Sequence, residues 1–73
     1  MLIVEGEPQL RKMAADRFID SGYRVFEAGN ALEAIAILER GNDITAVFTD
    51  IEMPGETNGL SLAAEIKTRW PHI

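Results

Sequence analysis

The chain has no cysteine, one histidine (His72) and few aromatic residues: three Phe, one Tyr and one Trp. Without cysteine there is no disulfide framework, no thiolate metal site and no cysteine nucleophile. One histidine cannot build a multi-histidine metal centre. Positive charge is also scarce. Seven Lys and Arg against twelve Asp and Glu leave a net charge of −5 at pH 7. The bases do not cluster, so the phosphates of a nucleic acid would be repelled, and no nucleic-acid contact is expected. No apolar stretch approaches the roughly 20 residues that cross a bilayer, and no signal-peptide core is visible. The expectation is therefore a cytoplasmic chain without membrane contact. What remains is ordinary globular usage, 47% hydrophobic and 26% charged, which argues against disorder. Seventy-three residues allow one domain, residues 1–73. Its core is marginal, because a chain of this size buries only about 60% of its unfolded surface.

Hydrophobic patterning divides the chain into three strand–helix units. Met1 to Glu5, with Leu2-Ile3-Val4, suits a short strand buried on both faces. Pro8 fits the first turn of a helix, where a missing N–H is harmless. Leu10, Met13, Ala14, Phe18 and Ile19 then fall at helical spacing, opposite Arg11, Lys12, Asp16 and Asp20. On this reading Met13 fills the core, and Arg11, Lys12 and Arg17 form a solvated face. Ser21-Gly22 ends the helix. Tyr23 to Glu27 is the second strand. Asn30 with Glu33 resembles a capping box ahead of a second helix, whose apolar face is Ala31, Leu32, Ile35, Ala36 and Leu38 and which stops at Gly41-Asn42. Ile44 to Thr49 favours a third strand. Residues 53–59 carry turn chemistry. Leu60 to Trp70 forms a third helix, with Leu62, Ala63, Ile66 and Trp70 on one face and Pro71 after it. The order is βαβαβα, which implies a parallel sheet with right-handed crossovers and helical cover.

Ligands of open parallel sheets bind beyond the carboxyl ends of the strands, at the point where strand order reverses. If the order is 2-1-3, that point lies between the ends of strands one and three. Glu5 ends strand one and Asp50 ends strand three, with Glu7 and Glu52 near in sequence. Carboxylates grouped there can hold a hard divalent cation, or one can act as a nucleophile beside it. Glu7, Glu52 and Glu56 also read as plain solvated acids. Asp50 is different: directly after Val47-Phe48-Thr49, a carboxylate risks burial, which is costly unless it is paired or metal-bound.

These residues carry a resemblance. Leu2-Ile3-Val4-Glu5-Gly6-Glu7-Pro8, Gly22-Tyr23-Arg24-Val25 and Ala28-Gly29-Asn30-Ala31-Leu32-Glu33-Ala34 each match weakly. Phe48-Thr49-Asp50-Ile51-Glu52-Met53-Pro54-Gly55 with Asn58-Gly59 matches strongly. Together they resemble the N-terminal three-fifths of a two-component response-regulator receiver domain, over all 73 residues. The resemblance implies a partial flavodoxin-like fold, a doubly wound parallel α/β sheet of strand order 2-1-3 without the last two strand–helix units. It makes Asp50 the acceptor of a phosphoryl group from a kinase phosphohistidine. Glu5 becomes one of an acidic pair that binds Mg²⁺, and the backbone carbonyl of Glu52 a further metal ligand. Met53-Pro54 and Gly59 would shape the loop into helix three. The implied partner is a sensor histidine kinase or a histidine phosphotransfer protein, and the implied role is that of a signalling switch, not a turnover enzyme.

Two departures from the family pattern are plain. Gly6 occupies the position of the second acidic residue, which puts the Mg²⁺ site in question. The family's strand-four hydroxyl residue and strand-five lysine have no counterpart, and Lys67, on helix three, cannot take the lysine's role. Two other readings therefore stay open: a degenerate or truncated receiver acting as an interaction module independent of phosphorylation, or without function; and half of a Mg²⁺-dependent phosphatase with an Asp nucleophile, in which Glu52 would imitate the acid. With three strands, Ala46-Val47-Phe48 lies at a sheet edge, and the chain by itself is expected to be either a homodimer through that edge or partly molten. His72 is expected to be an exposed tail residue, and Trp70 to serve packing.

Overall fold

The computed structural model describes residues 1–41, 43–49 and 59–73, with residues 59 and 60 described by backbone alone. Six elements alternate along it: β1 (Leu2–Val4), α1 (Pro8–Asp20), β2 (Phe26–Ala28), α2 (Ala31–Glu39), β3 (Val47–Thr49) and α3 (Gly59–Arg69). The strands form one parallel sheet in the order β2-β1-β3. All three carboxyl ends therefore lie on the same side, and β1, the most apolar strand, sits in the middle. The βαβαβα order and the 2-1-3 arrangement are as expected. The strands are shorter than the sequence suggests: residues 23–25 and 44–46 lead into β2 and β3 without belonging to them. Pairing with the three buried residues of β1 sets that length, with Leu2 opposite Phe26 and Val47, and Val4 opposite Ala28 and Thr49.

The pleat divides β1 between two layers. Leu2 and Val4 join the main core with Ala28, Ala31, Ala34, Leu38, Ile44, Leu62 and Ile66, all buried. This is the face covered by α2 and α3. Ile3, also buried, points to the opposite face, as do its register partners Glu27 and Phe48. That face is covered by α1. Helices on both faces of a parallel sheet make the fold doubly wound.

The helix ends follow local chemistry. Glu7 caps α1, its carboxylate accepting from the Gln9 N–H at 3.0 Å, and Pro8 takes the first turn. The Asn30–Glu33 box is present in a shifted form. Asn30 Oδ1 accepts from the Glu33 N–H at 2.9 Å, and Glu33 Oε1 reaches back one residue further than usual, to the Gly29 N–H at 2.6 Å. Gly22 and Gly41 follow α1 and α2 with φ of +93° and +73°, a region where side chains are strained and glycine is not. α3 ends just before Trp70 and Pro71. Arg69 ties it to α2 through Glu39 at 2.6 Å, while also bonding Glu65 at 3.1 Å. Those two carboxylates, Glu39 foremost, raise the guanidinium pKa above its already high value.

All three helical faces differ in part from the sequence reading. In α1 the buried residue is Ala15, with Arg11, Ala14 and Phe18 half-buried; Leu10 and Ile19 are exposed, and Met13, expected in the core, is 63% exposed. A stripe centred on positions 11, 15 and 18 faces the sheet, about one residue's rotation from the most apolar stripe. Arg11 is thus no part of a solvated face. In α2, Leu32 is 83% exposed and Ala36 is exposed, while Ala34 takes the core position. Ala63 of α3 is likewise exposed, whereas Trp70 is half-buried against the core and His72 is exposed, as expected.

Candidate functional site

The crevice lies where the chain leaves β1 and β3. The crossover β1-α1-β2 runs to one side of β1 and the crossover β2-α2-β3 to the other, so the switch point falls between the carboxyl ends of β1 and β3. Val4 and Thr49 are register partners at that end. The next residue after Val4 is Glu5, and the next after Thr49 is Asp50. Asp50, Glu52 and the Met53-Pro54-Gly55 loop lie outside the described residues, as does Asn42.

Glu5 is half-buried and held at three points. Its N–H donates to the Ala28 carbonyl at 3.0 Å, extending the β1–β2 ladder by one bond. Its carbonyl accepts from Arg11 Nη1 at 3.1 Å. Its carboxylate Oε1 accepts from the Glu7 N–H at 3.0 Å, folding the side chain across Gly6. Glu7 itself is exposed and turned to the cap of α1. It does not substitute for the acid absent at position 6. Gly6 is not among the positive-φ glycines, so its backbone does not require glycine. One carboxylate oxygen of Glu5 is thus engaged locally. Among the described residues, no three acidic or histidine side chains gather as a metal cluster; two of the three expected donors, Asp50 and the Glu52 carbonyl, fall outside them.

Arg11 is the residue that sequence reasoning missed. Its Nε lies 3.6 Å from Glu27 Oε1, and its side chain is only 26% exposed. The signal available was positional: Arg11 is one turn before Ala15, on the stripe that faces the sheet.

A family model for the response regulator receiver domain matches residues 1–73. The chain belongs to that family. Among relatives of the receiver, the aerobic respiration control protein ArcA of Escherichia coli strain K12 is 43% identical over 67 residues, 92% of this chain and 27% of ArcA. The transcriptional regulatory protein AruR of Pseudomonas aeruginosa is 34% identical over 73 residues, 94% of this chain and 30% of AruR. A solved structure of the response regulator protein TrrA from Thermotoga maritima, in complex with Mg²⁺-BeF, superimposes with a TM-score of 0.88 at 36% identity, covering 96% of this chain and 59% of that one. The receiver chain therefore spans less than a third of the length of these two regulators, and its fold matches a receiver fold.

The donor chemistry fits a hard cation. Glu5, Asp50 and the Glu52 carbonyl are all oxygen donors, and Mg²⁺ takes oxygen ligands while retaining several waters. Glu5 stands at the carboxyl end of the central strand, half-buried, and water can occupy the position that Gly6 leaves without a ligand.

Proposed function

We propose that the chain is a phospho-accepting receiver module over residues 1–73. Asp50 takes a phosphoryl group from a phosphohistidine of a sensor histidine kinase or a histidine phosphotransfer protein. A carboxylate oxygen of Asp50 forms the new O–P bond as the N–P bond breaks, and the imidazole leaves with the nitrogen electron pair. Glu5, Asp50 and the Glu52 carbonyl would hold Mg²⁺, which neutralises the charge of the transferring group. The acyl phosphate adds about −1.5 to −2 charges, enough to bias a loop with two arrangements. The role is that of a cytoplasmic switch, not an enzyme of many turnovers.

One observation carries this reading. Glu5 stands at the switch point beside β3, and Asp50 directly follows Thr49 in sequence, in a chain that a receiver-domain family model matches throughout. Matches to regulators and to the sensor kinase CckA of Brucella abortus, 34% identical over 74 residues, support a kinase partner. Gly6 favours a second reading, a degenerate receiver that binds partners without being phosphorylated. For the 73-residue chain by itself we also propose a homodimer through the outer edge of β3.

The test is intact-mass analysis after incubation with a small phosphodonor and Mg²⁺. One phosphate adduct, lost in Asp50→Asn, is the expected result. An adduct that persists in Asp50→Asn overturns the assignment, and no adduct at all favours the degenerate reading. Multiple-turnover release of phosphate from a generic phosphomonoester would instead point to the phosphatase class.

A further inference from the structure

The guanidinium of Arg11 lies where three pieces of chain meet. Nη1 donates to the Glu5 carbonyl at the end of β1, at 3.1 Å. Nε lies 3.6 Å from Glu27 Oε1 on β2. Its other neighbour is the turn between β2 and α2. A Cβ added to Gly29 there would lie 3.0 Å from Arg11 Nη1 and 3.2 Å from Glu33 Oε1. Gly29 has no positive φ, so its backbone does not demand glycine. A Cβ there would crowd the tips of the Arg11 and Glu33 side chains, which would have to give by a few tenths of an ångström.

The bond to Glu5 falls on a backbone atom next to the turn that presents the Glu5 carboxylate. From Glu5 the chain turns through Gly6, which has no side chain to brace it, to Glu7. The turn is held by the Glu5 carboxylate on the Glu7 N–H and by Arg11 on the Glu5 carbonyl. A planar guanidinium can serve the carbonyl and Glu27 together from fixed directions, whereas an ammonium cannot reproduce that fork.

We propose that Arg11 is a positioning residue for the cation site: it fixes the exit of β1, and with it the turn that carries the Glu5 carboxylate, and Gly29 leaves the room that Arg11 occupies. This rests on the reading of Glu5 as a Mg²⁺ ligand. Arg11 also brings a positive charge near the site, which by itself opposes Mg²⁺. The two effects separate by substitution. Arg11→Lys keeps the charge and loses the fork. Gly29→Ala keeps Arg11 and pushes it aside. Arg11→Gln removes both charge and fork.

The experiment is a Mg²⁺ titration of the full chain and these three variants, followed by Trp70 fluorescence and by melting temperature, with amide hydrogen exchange at Glu7 measured without metal. Arg11→Lys is expected to weaken Mg²⁺ binding about tenfold, the lower end for partners outside the ligand shell, and Gly29→Ala, which only displaces the tip of Arg11, to weaken it by a smaller factor. Both should also speed exchange at the Glu7 amide, while the metal-free melt stays close to that of the parent. If Arg11 acts through charge alone, these two variants bind as the parent does and Arg11→Gln binds more tightly, which overturns the proposal. A lower metal-free melt with unchanged Mg²⁺ affinity assigns Arg11 to stability only and also overturns it. A parent chain that binds no Mg²⁺ overturns the reading of the site on which this inference rests, a result distinct from the other two.

Discussion

At the scale of single residues, Gly6 stands where the receiver resemblance leads one to expect a second acid. The Glu5 carboxylate is folded across Gly6 to the Glu7 N–H, and Glu7 is turned to its helix cap, so among the described residues Glu7 does not stand in for an acid at position 6. Because Gly6 lacks a positive φ, an added Cβ meets no backbone strain there. The backbone at position 6 therefore does not oppose Gly6→Asp. A further carboxylate beside Glu5 and Glu7 destabilises the metal-free chain, and a ligand that binds only the folded state stabilises in proportion to its affinity. The expected signature is a lower melting temperature without Mg²⁺ and a larger rise with it. Equal Mg²⁺-dependent shifts in Gly6→Asp and the parent would mean that position 6 does not face the cation. Arg69 is a contrasting case. Its raised pKa, set first by Glu39 and then by Glu65, means that its contribution is present throughout the ordinary pH range and is lost only as pH rises through the folded value in strong alkali.

Among the elements, α2 was the most legible at its ends and the least legible on its face. Asn30 and Glu33 announce the start, and both side chains bond backbone N–H groups there. Asn30→Ala is expected to cost about 1 kcal/mol, as is usual for a lost N-cap, read as a lower urea midpoint with an unchanged slope. Leu32 and Ala34 show what the pattern could not reveal. Both are apolar, but the strand beneath α2 selects Ala34, where a close approach to the sheet suits a small side chain. Leu62, fully buried under α3, is a stricter case. Truncating it to Ala removes apolar contacts and leaves a cavity, at about 2–5 kcal/mol. For a domain of this size each kcal/mol lowers the melting temperature by about 4–8 °C, so a melt lowered by about 10 °C or more is expected. A melt displaced by less than a few degrees would argue that α3 contributes little to the core.

For the molecule as a whole, the open side of the sheet decides behaviour. β3 is the outermost strand on its side of the described sheet, and Phe48 is 46% exposed on the face shared with α1. Phe18 reaches it, with ring centroids 5.8 Å apart, but Leu10, Met13 and Ile19 extend beyond that contact into solvent. An apolar edge strand invites pairing with another chain. The 73-residue chain by itself is expected to sediment as a dimer, or to melt broadly as a loosely packed monomer. Phe48→Lys, a charge on the edge, should shift a dimer towards monomer. A parent chain that sediments as a monomer and melts sharply would refute this expectation.

The amino-acid sequence by itself determined the alternation of strands and helices, the helix stops at Gly22 and Gly41, the cap at Asn30 and the position of the Glu5 carboxylate at the end of β1. These are local matters, set by φ preference, by side chains bonding neighbouring N–H groups and by short-range apolar periodicity. Only the tertiary structure decided which stripe of α1 faces the sheet, and it chose Arg11, Ala15 and Phe18 over the more apolar Leu10, Met13 and Ile19. A helix presents the side that its connections and the sheet's pleat direct inward, and hydrophobicity alone cannot fix that rotation when a second apolar stripe lies one residue away. The same placement brings Arg11 to the Glu5 carbonyl, six positions back in the chain, and to Glu27 on the neighbouring strand. No spacing rule along the chain predicts such a junction, because it exists only once β1, β2 and α1 have come together.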